Sequence, residues 1–205
     1  MSTIKPMEKI KCFDHTIWQS RCDESLYKDS NLESAIDSYV KNMDTYSPTA
    51  GAGNVDSTVD TDFTILNFPS AQPLVEWIIS QITSIDEFNY KNSSTFSFSQ
   101  HFANRMYKDS HGLVHTHLGA SDTDYVAMFY LAVPANSAEL VIVNDGEDYE
   151  EYSNYLDFDE KDRHHISVES GTLIIHKNDA PHGVSTHNST DPRICLVFEF
   201  EMPNG

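Results

Sequence analysis

The sequence predicts an α+β fold in which N-terminal helices precede an all-β core shaped as a sandwich or barrel. Three observations carry this reading. Helically spaced apolar residues come early in the chain, and a run of short strand-like segments follows. The length of 205 residues, 39% of them hydrophobic, is enough for one domain with a buried core.

Residues 1–30 mix polar and apolar types and leave room for one or two short strands. Asn31 can cap a helix carried by Ala35, Ile36, Tyr39, Val40 and Met43. Residues 47–62, SPTAGAGNVDSTVDTD, lack periodicity and are rich in Gly, Ser, Thr and Asp, which predicts a loop. A second helix has Ser70 as N-cap, Pro73 in its first turn, and Leu74, Trp77, Ile78, Ile82 and Ile85 on one face. From residue 93 the period becomes two. Thr95-Phe96-Ser97-Phe98-Ser99 alternates, and the strand extends towards Tyr107. Further strands are expected at 113–118, 124–133, 138–143, 165–169, 172–176, 182–187 and 193–201. Residues 144–162 form an acidic loop with nine Asp or Glu among 19 residues. The expected organisation is one structural domain: a helical extension, 1–92, packed on a β core, 93–205.

A net charge of -19 with 13 Lys and Arg disfavours binding to nucleic acids and to anionic membranes. No apolar run matches a signal peptide or a span of about 20 residues. Cys12, Cys22 and Cys195 form no C-x-x-C pair, which points to a reducing compartment. These features together predict a soluble, cytoplasmic protein.

Ten histidines are present, and His111, His115 and His117 lie close together. His115 and His117 are two apart in an expected strand, so their side chains share a face and can converge on one ion. His182, after the turn Lys177-Asn178-Asp179-Ala180-Pro181, can add a third ligand from a neighbouring strand. Imidazole suits iron, zinc, copper or nickel, so the ligand type does not choose the metal. Arg193 opens the last strand, and inside a barrel it needs an anionic partner. That partner is either a bound carboxylate, matched by the guanidinium fork, or an acid of the chain such as Glu199 or Asp191.

Taken together, His115-Thr116-His117, Phe129-Tyr130-Leu131 with Val133-Pro134, Gly171-Thr172-Leu173-Ile174-Ile175, His182-Gly183-Val184 and Arg193 resemble the iron(II)/2-oxoglutarate-dependent dioxygenases. The resemblance is greatest to the small prolyl-hydroxylase-like and phage-type members, and it covers roughly residues 95–201. It implies a double-stranded β-helix, a jelly-roll or cupin-like barrel preceded by N-terminal helices. It further implies Fe(II) on His115, His117 and His182, and 2-oxoglutarate as co-substrate with its distal carboxylate on Arg193. Tyr107 sits where relatives place a tyrosine on that same carboxylate; the alternative is a packed strand aromatic. The implied reaction uses O2 to oxidise a C–H bond of a small-molecule or peptidyl substrate, with succinate and CO2 released.

The sequence departs from the family pattern at two places. His117 stands where the family has Asp, so the triad becomes three histidines unless Asp122 or Asp124 supplies a carboxylate. Cys195 stands where many relatives carry a hydroxyl, and it either lines the pocket or fills the core. The acidic loop, with Tyr149, Tyr152 and Tyr155, is either a lid over the barrel mouth or a solvated insertion. Two other functions compete. A cupin-type dioxygenase or isomerase would not use 2-oxoglutarate, but no Glu lies between His117 and Glu139 as a cupin motif would require. A barrel that has lost catalysis could also carry His at the Asp position.

Overall fold

The apolar alternation in the second half of the chain produces strands buried on both faces, and those strands form the centre of the molecule. The computed structural model describes residues 7–28, 30–42, 53–59, 61–88, 97–119, 123–144, 146 and 149–201. The strands are β1 (Glu8–Cys12), β2 (His15–Arg21), β3 (Lys41–Asn42), β4 (Val55–Ser57), β5 (Phe98–Met106) and β6 (Gly112–His115). They continue with β7 (Tyr125–Ala132), β8 (Leu140–Val143), β9 (Arg163–Ile166), β10 (Thr172–Lys177), β11 (His182–Val184) and β12 (Arg193–Phe200). An eight-stranded sheet runs β1-β2-β10-β7-β12-β5-β4-β3, and a four-stranded sheet runs β6-β11-β8-β9. Every recorded pairing is antiparallel. Two such sheets sharing one apolar interior make the double-stranded β-helix.

Strand parity assigns each side chain to one of two cores. On β7, Val126, Met128 and Tyr130 face the barrel interior together with Leu140 and Ile142 of β8. Ala127, Phe129 and Leu131 face the other way, towards α2 (Gln72–Thr83). That helix buries Leu74, Val75, Ile78 and Ile82 on the back of the large sheet. Each such side chain contributes about 1.5–3 kcal/mol of burial. β12 follows the same rule: Ile194, Leu196, Phe198 and Phe200 pack towards the helices, whereas Cys195 and Val197 belong to the interior. Its backbone is bonded on both sides, to β5 and to β7.

Four sequence expectations need correction. The first 92 residues are not only a helical extension: β1 and β2 fill the place left for short strands in residues 1–30 and extend the large sheet through β10, and β3 and β4, which were not expected, extend it through β5. The first helix is short: α1 spans Leu32–Asp37, and Asn31 adopts φ 53° without a side-chain cap bond. Tyr39 and Val40 fall outside the helix because the chain must reach the sheet edge at β3, and Met43 lies outside the described residues. The expected loop at 47–62 contains β4, whose pairing with β5 needs backbone groups rather than a side-chain pattern. Ser70 does not cap α2: a 3-10 turn at Pro69–Ala71 leads into the helix, and the Ser70 hydroxyl donates to Ser30 O at 2.6 Å. The early part of the β5 expectation, Thr95 and Phe96, also lies outside the described residues.

The described residues of the acidic loop pack against the small sheet. Tyr155 is buried and packs with Val114, Val141 and Val143 on the outward face of the small sheet, beside Tyr149 and Phe158. Val114 and Ser153 form a β-bridge, and Tyr152 N donates to Val114 O at 2.6 Å. Among the described residues, no helix is long and apolar enough to cross a membrane.

Two glycines let β6 and β11 approach closely. A Cβ on Gly112 would lie 2.9 Å from Val184 Cβ and 3.0 Å from Val184 N. A Cβ on Gly183 would lie 3.0 Å from Gly112 O. Gly112→Ala is therefore expected to force these strands apart and to lower stability by about 1–3 kcal/mol. Urea unfolding checks this; an unchanged midpoint would show that the approach is not under steric constraint.

Candidate metal centre

The antiparallel pairing of β6 and β11 sets His115 directly opposite His182. Cross-strand partners of this kind have Cβ atoms about 4.5–5.5 Å apart, which suits two ligands to one ion. Their ring centroids are 4.6 Å apart. His117 lies just beyond the end of β6, and its amide donates to Asn178 O at 2.8 Å, which ties it to the turn before β11. Its ring centroid is 5.2 Å from that of His115 and 5.3 Å from that of His182. One ligand atom from each of the three lies within 4.8 Å of the others.

Hydrogen bonding fixes the tautomers. His115 Nδ1 lies 2.8 Å from Leu113 O, and His182 Nδ1 lies 3.0 Å from Ala180 O. A carbonyl oxygen can only accept, so both Nδ1 atoms carry the proton and both Nε2 atoms keep a lone pair. His117 Nδ1 lies 2.8 Å from Glu199 Oε1, to which it donates. All three rings thus have Nδ1 engaged, which leaves Nε2 as the atom each can offer to a metal. A facial set of this kind leaves positions open for other ligands.

The surroundings keep the imidazoles neutral. Burial pushes His115 down to about 4 and His176 to about 3, and it holds His182 well below the ordinary range. The cause in each case is lost hydration of the charged form, to which the neighbouring histidines add. Burial pushes the Glu199 carboxyl up, but its bonds to His117 and Thr123 outweigh this and leave it below its usual value.

A cavity of about 50 Å³ adjoins the three histidines. Phe102, Met106, Leu113, Met128 and Val197 give it mainly apolar walls, and Asn104, Cys195 and Arg193 also line it. Arg193 is 3% exposed, its Nε has no hydrogen-bond partner, and its Cζ lies 4.8 Å from the centroid of the Tyr130 ring. Among the described residues it forms no ion pair. Glu199 bonds His117 and Thr123 instead, and Asp191 is exposed while Arg193 is buried, so neither acid neutralises Arg193. Burial raises the Cys195 thiol to about 11, which makes it a neutral wall of the cavity.

The structure brings His115, His117, His182 and Arg193 to one cavity. It does not bring Tyr107 there: the Tyr107 hydroxyl donates to Asp56 Oδ2 at 2.7 Å. Asp124 is exposed and stands apart from the histidine group, while Asp122 lies outside the described residues. Sequence reasoning missed Glu199 as a partner of His117, and it missed His176. The latter is fully buried with its ring centroid 4.4 Å from that of His182. Parity was the available signal for both. His176 is two residues after inward-facing Ile174, and Glu199 is two after inward-facing Val197.

Neither a family model nor a curated protein sequence matches the chain. Solved structures do. A Pseudomonas putida prolyl-4-hydroxylase is 11% identical, with a TM-score of 0.58 over 92% of this chain and 94% of that one. The non-haem α-ketoglutarate-dependent epimerase SnoN from nogalamycin biosynthesis is 11% identical, with a TM-score of 0.58 over 89% of this chain and 76% of that one. HygX from Streptomyces hygroscopicus, solved with nickel and 2-oxoglutarate bound, is 13% identical, with a TM-score of 0.55 over 89% of this chain and 81% of that one. The chain therefore has the double-stranded β-helix fold of the 2-oxoglutarate/iron oxygenases.

In the metal-free protein the pKa shifts fix a pH dependence. An unperturbed histidine takes up a proton near 6.5, whereas folded His115 resists until about 4 and His176 until about 3. Between those limits the unfolded state binds more protons, so stability rises with pH. It is complete above 6.5 and is lost as the pH falls towards 4 and then 3. Denaturant unfolding at a series of pH values checks this; a flat profile would contradict the buried, neutral imidazoles.

Proposed function

We propose that the chain is a non-haem Fe(II)/2-oxoglutarate-dependent oxygenase that oxidises a C–H bond of a small-molecule or peptidyl substrate with O2. The observation that carries this reading is the pairing of a three-imidazole site with an unneutralised, buried guanidinium on one cavity. A buried cation without an acid is costly, so Arg193 calls for an anionic ligand. A carboxylate of 2-oxoglutarate supplies the charge and the planar geometry that a guanidinium fork matches. The oxygenases of the same fold support the choice, and HygX was solved with nickel and 2-oxoglutarate bound.

In this reading His115, His117 and His182 hold the metal through Nε2, and Arg193 anchors the co-substrate. When bound, iron and 2-oxoglutarate together supply the oxidising chemistry, with succinate and CO2 as by-products. The chain's own part is to hold three lone pairs in place, to neutralise the co-substrate's charge and to keep water out with apolar walls. The three buried, free cysteines fit a reducing, cytoplasmic setting.

A second reading is a cupin-type metal dioxygenase or isomerase that does not use 2-oxoglutarate. The all-imidazole donor set favours it, because the carboxylate ligand usual in the oxygenases is absent from this cluster. Arg193 favours the first reading.

Two substitutions separate the roles. His182→Ala is expected to abolish metal binding, measured by metal content after anaerobic loading with Fe(II). Arg193→Ala is expected to spare the metal but to weaken 2-oxoglutarate binding by about 10- to 100-fold, as the loss of a charged hydrogen-bonding partner of about 1.5–3 kcal/mol implies. Succinate release under O2 completes the test. Bound iron without 2-oxoglutarate binding or turnover would favour the cupin-type reading.

A further inference from the structure

The chain carries His117 where the resembling oxygenases carry a carboxylate, so its ligand set is short by one negative charge. Glu199 lies immediately behind that histidine. Its Oε1 accepts from His117 Nδ1 at 2.8 Å, and its Oε2 accepts from the Thr123 hydroxyl at 3.0 Å. Glu199 is 4% exposed, and these are its side-chain partners among the described residues. No Lys or Arg accompanies it there. Among the described residues its ion-pair contact is with His117 alone, so the charge of Glu199 is directed at the ring that would hold the metal.

We propose that Glu199 is the positioning residue that replaces the missing carboxylate ligand at one remove, acting on the metal through the His117 ring. The inference rests on the metal-site reading above. A divalent ion on three neutral imidazoles would keep its full charge, and one carboxylate behind His117 returns the centre to the net charge of a two-histidine, one-carboxylate site. A carboxylate bonded to the far nitrogen of a ligating imidazole also fixes its orientation and strengthens it as a donor. The backbone makes this placement rigid. Glu199 sits on β12, paired with Gln100 of β5 on one side and Val126 of β7 on the other. Arg193 lies six residues earlier, and even spacing of about 3.3 Å per residue separates the two by roughly 20 Å. They serve different charges: Glu199 faces the metal ligands, and Arg193 faces the rest of the cavity.

The test uses cobalt(II) titrated anaerobically into the metal-free full-length chain, followed by its visible absorption. Glu199→Gln keeps the size and an accepting oxygen but removes the charge. It is expected to weaken cobalt binding by about 10- to 100-fold, in line with other groups that support a ligand from behind. In a His117→Asp background the carboxylate is restored among the ligands and the ring through which Glu199 acts is gone, so the same Glu199→Gln change is expected to alter cobalt binding less than about 3-fold. That loss of effect distinguishes action through His117 from packing, and comparing His117→Asp with the double variant keeps the test valid if Glu199→Gln alone does not fold. Equal affinity of wild type and Glu199→Gln would overturn the inference while leaving the metal site intact. A similar loss in both backgrounds would overturn it too, since a purely structural role predicts that result. Failure of the wild-type chain to bind cobalt or iron would overturn the site reading itself, and this inference with it.

Discussion

A pleated strand can show alternate residues only to opposite faces, and β12 uses both faces fully. Ile194, Leu196, Phe198 and Phe200 pack towards the helices, while Arg193, Cys195, Val197 and Glu199 turn into the barrel. A slip of one residue would exchange the two sets. It would place a guanidinium and a carboxylate against α2 and drive large apolar side chains into the cavity. The burial that holds the helices on the sheet therefore also holds the polar residues of the site in place. Pairing on both edges, to β5 and β7, leaves the strand no freedom to adjust.

The second sheet positions the candidate metal ligands on similar terms. The close approach of β6 and β11 depends on Gly112 and Gly183, and it sets His115 opposite His182. Each Nδ1 is then occupied by an acceptor that the fold supplies, a backbone carbonyl for two histidines and Glu199 for the third. The acidic segment supports this arrangement from outside. Glu151 accepts from the Thr116 amide and hydroxyl at 3.3 and 3.1 Å, and so grips the residue between two of the ligands. Much of the chain's negative charge thus lies outside the barrel, and the cavity keeps its apolar walls and a single guanidinium.

Electrostatics links these parts. The interior holds a carboxylate behind His117 and a cation, Arg193, and the two do not neutralise one another. In the proposed function each has a charge to offer, to a metal ion in the first case and to an anion in the second. Burial is costly for either group in isolation, and such ligands would offset that cost.

Local pattern alone determined the strand-rich second half, the apolar face of the long helix, and the pairing of His115 with His117. These follow from periods of two and 3.6 residues, which neighbours in the sequence set by themselves. The placement of His182 beside His115 and the inward position of Arg193 were legible through motif order. Strands β3 and β4 were not, because their edge pairing uses backbone groups that carry no side-chain signature. Nor could the sequence distinguish the partners open to Glu199. Arg193 is six residues away and His117 is 82, yet of these two it is His117 that bonds it. That choice belongs to the tertiary structure: sheet pairing places distant residues side by side, and strand parity keeps Arg193 and Glu199 at opposite ends of one face.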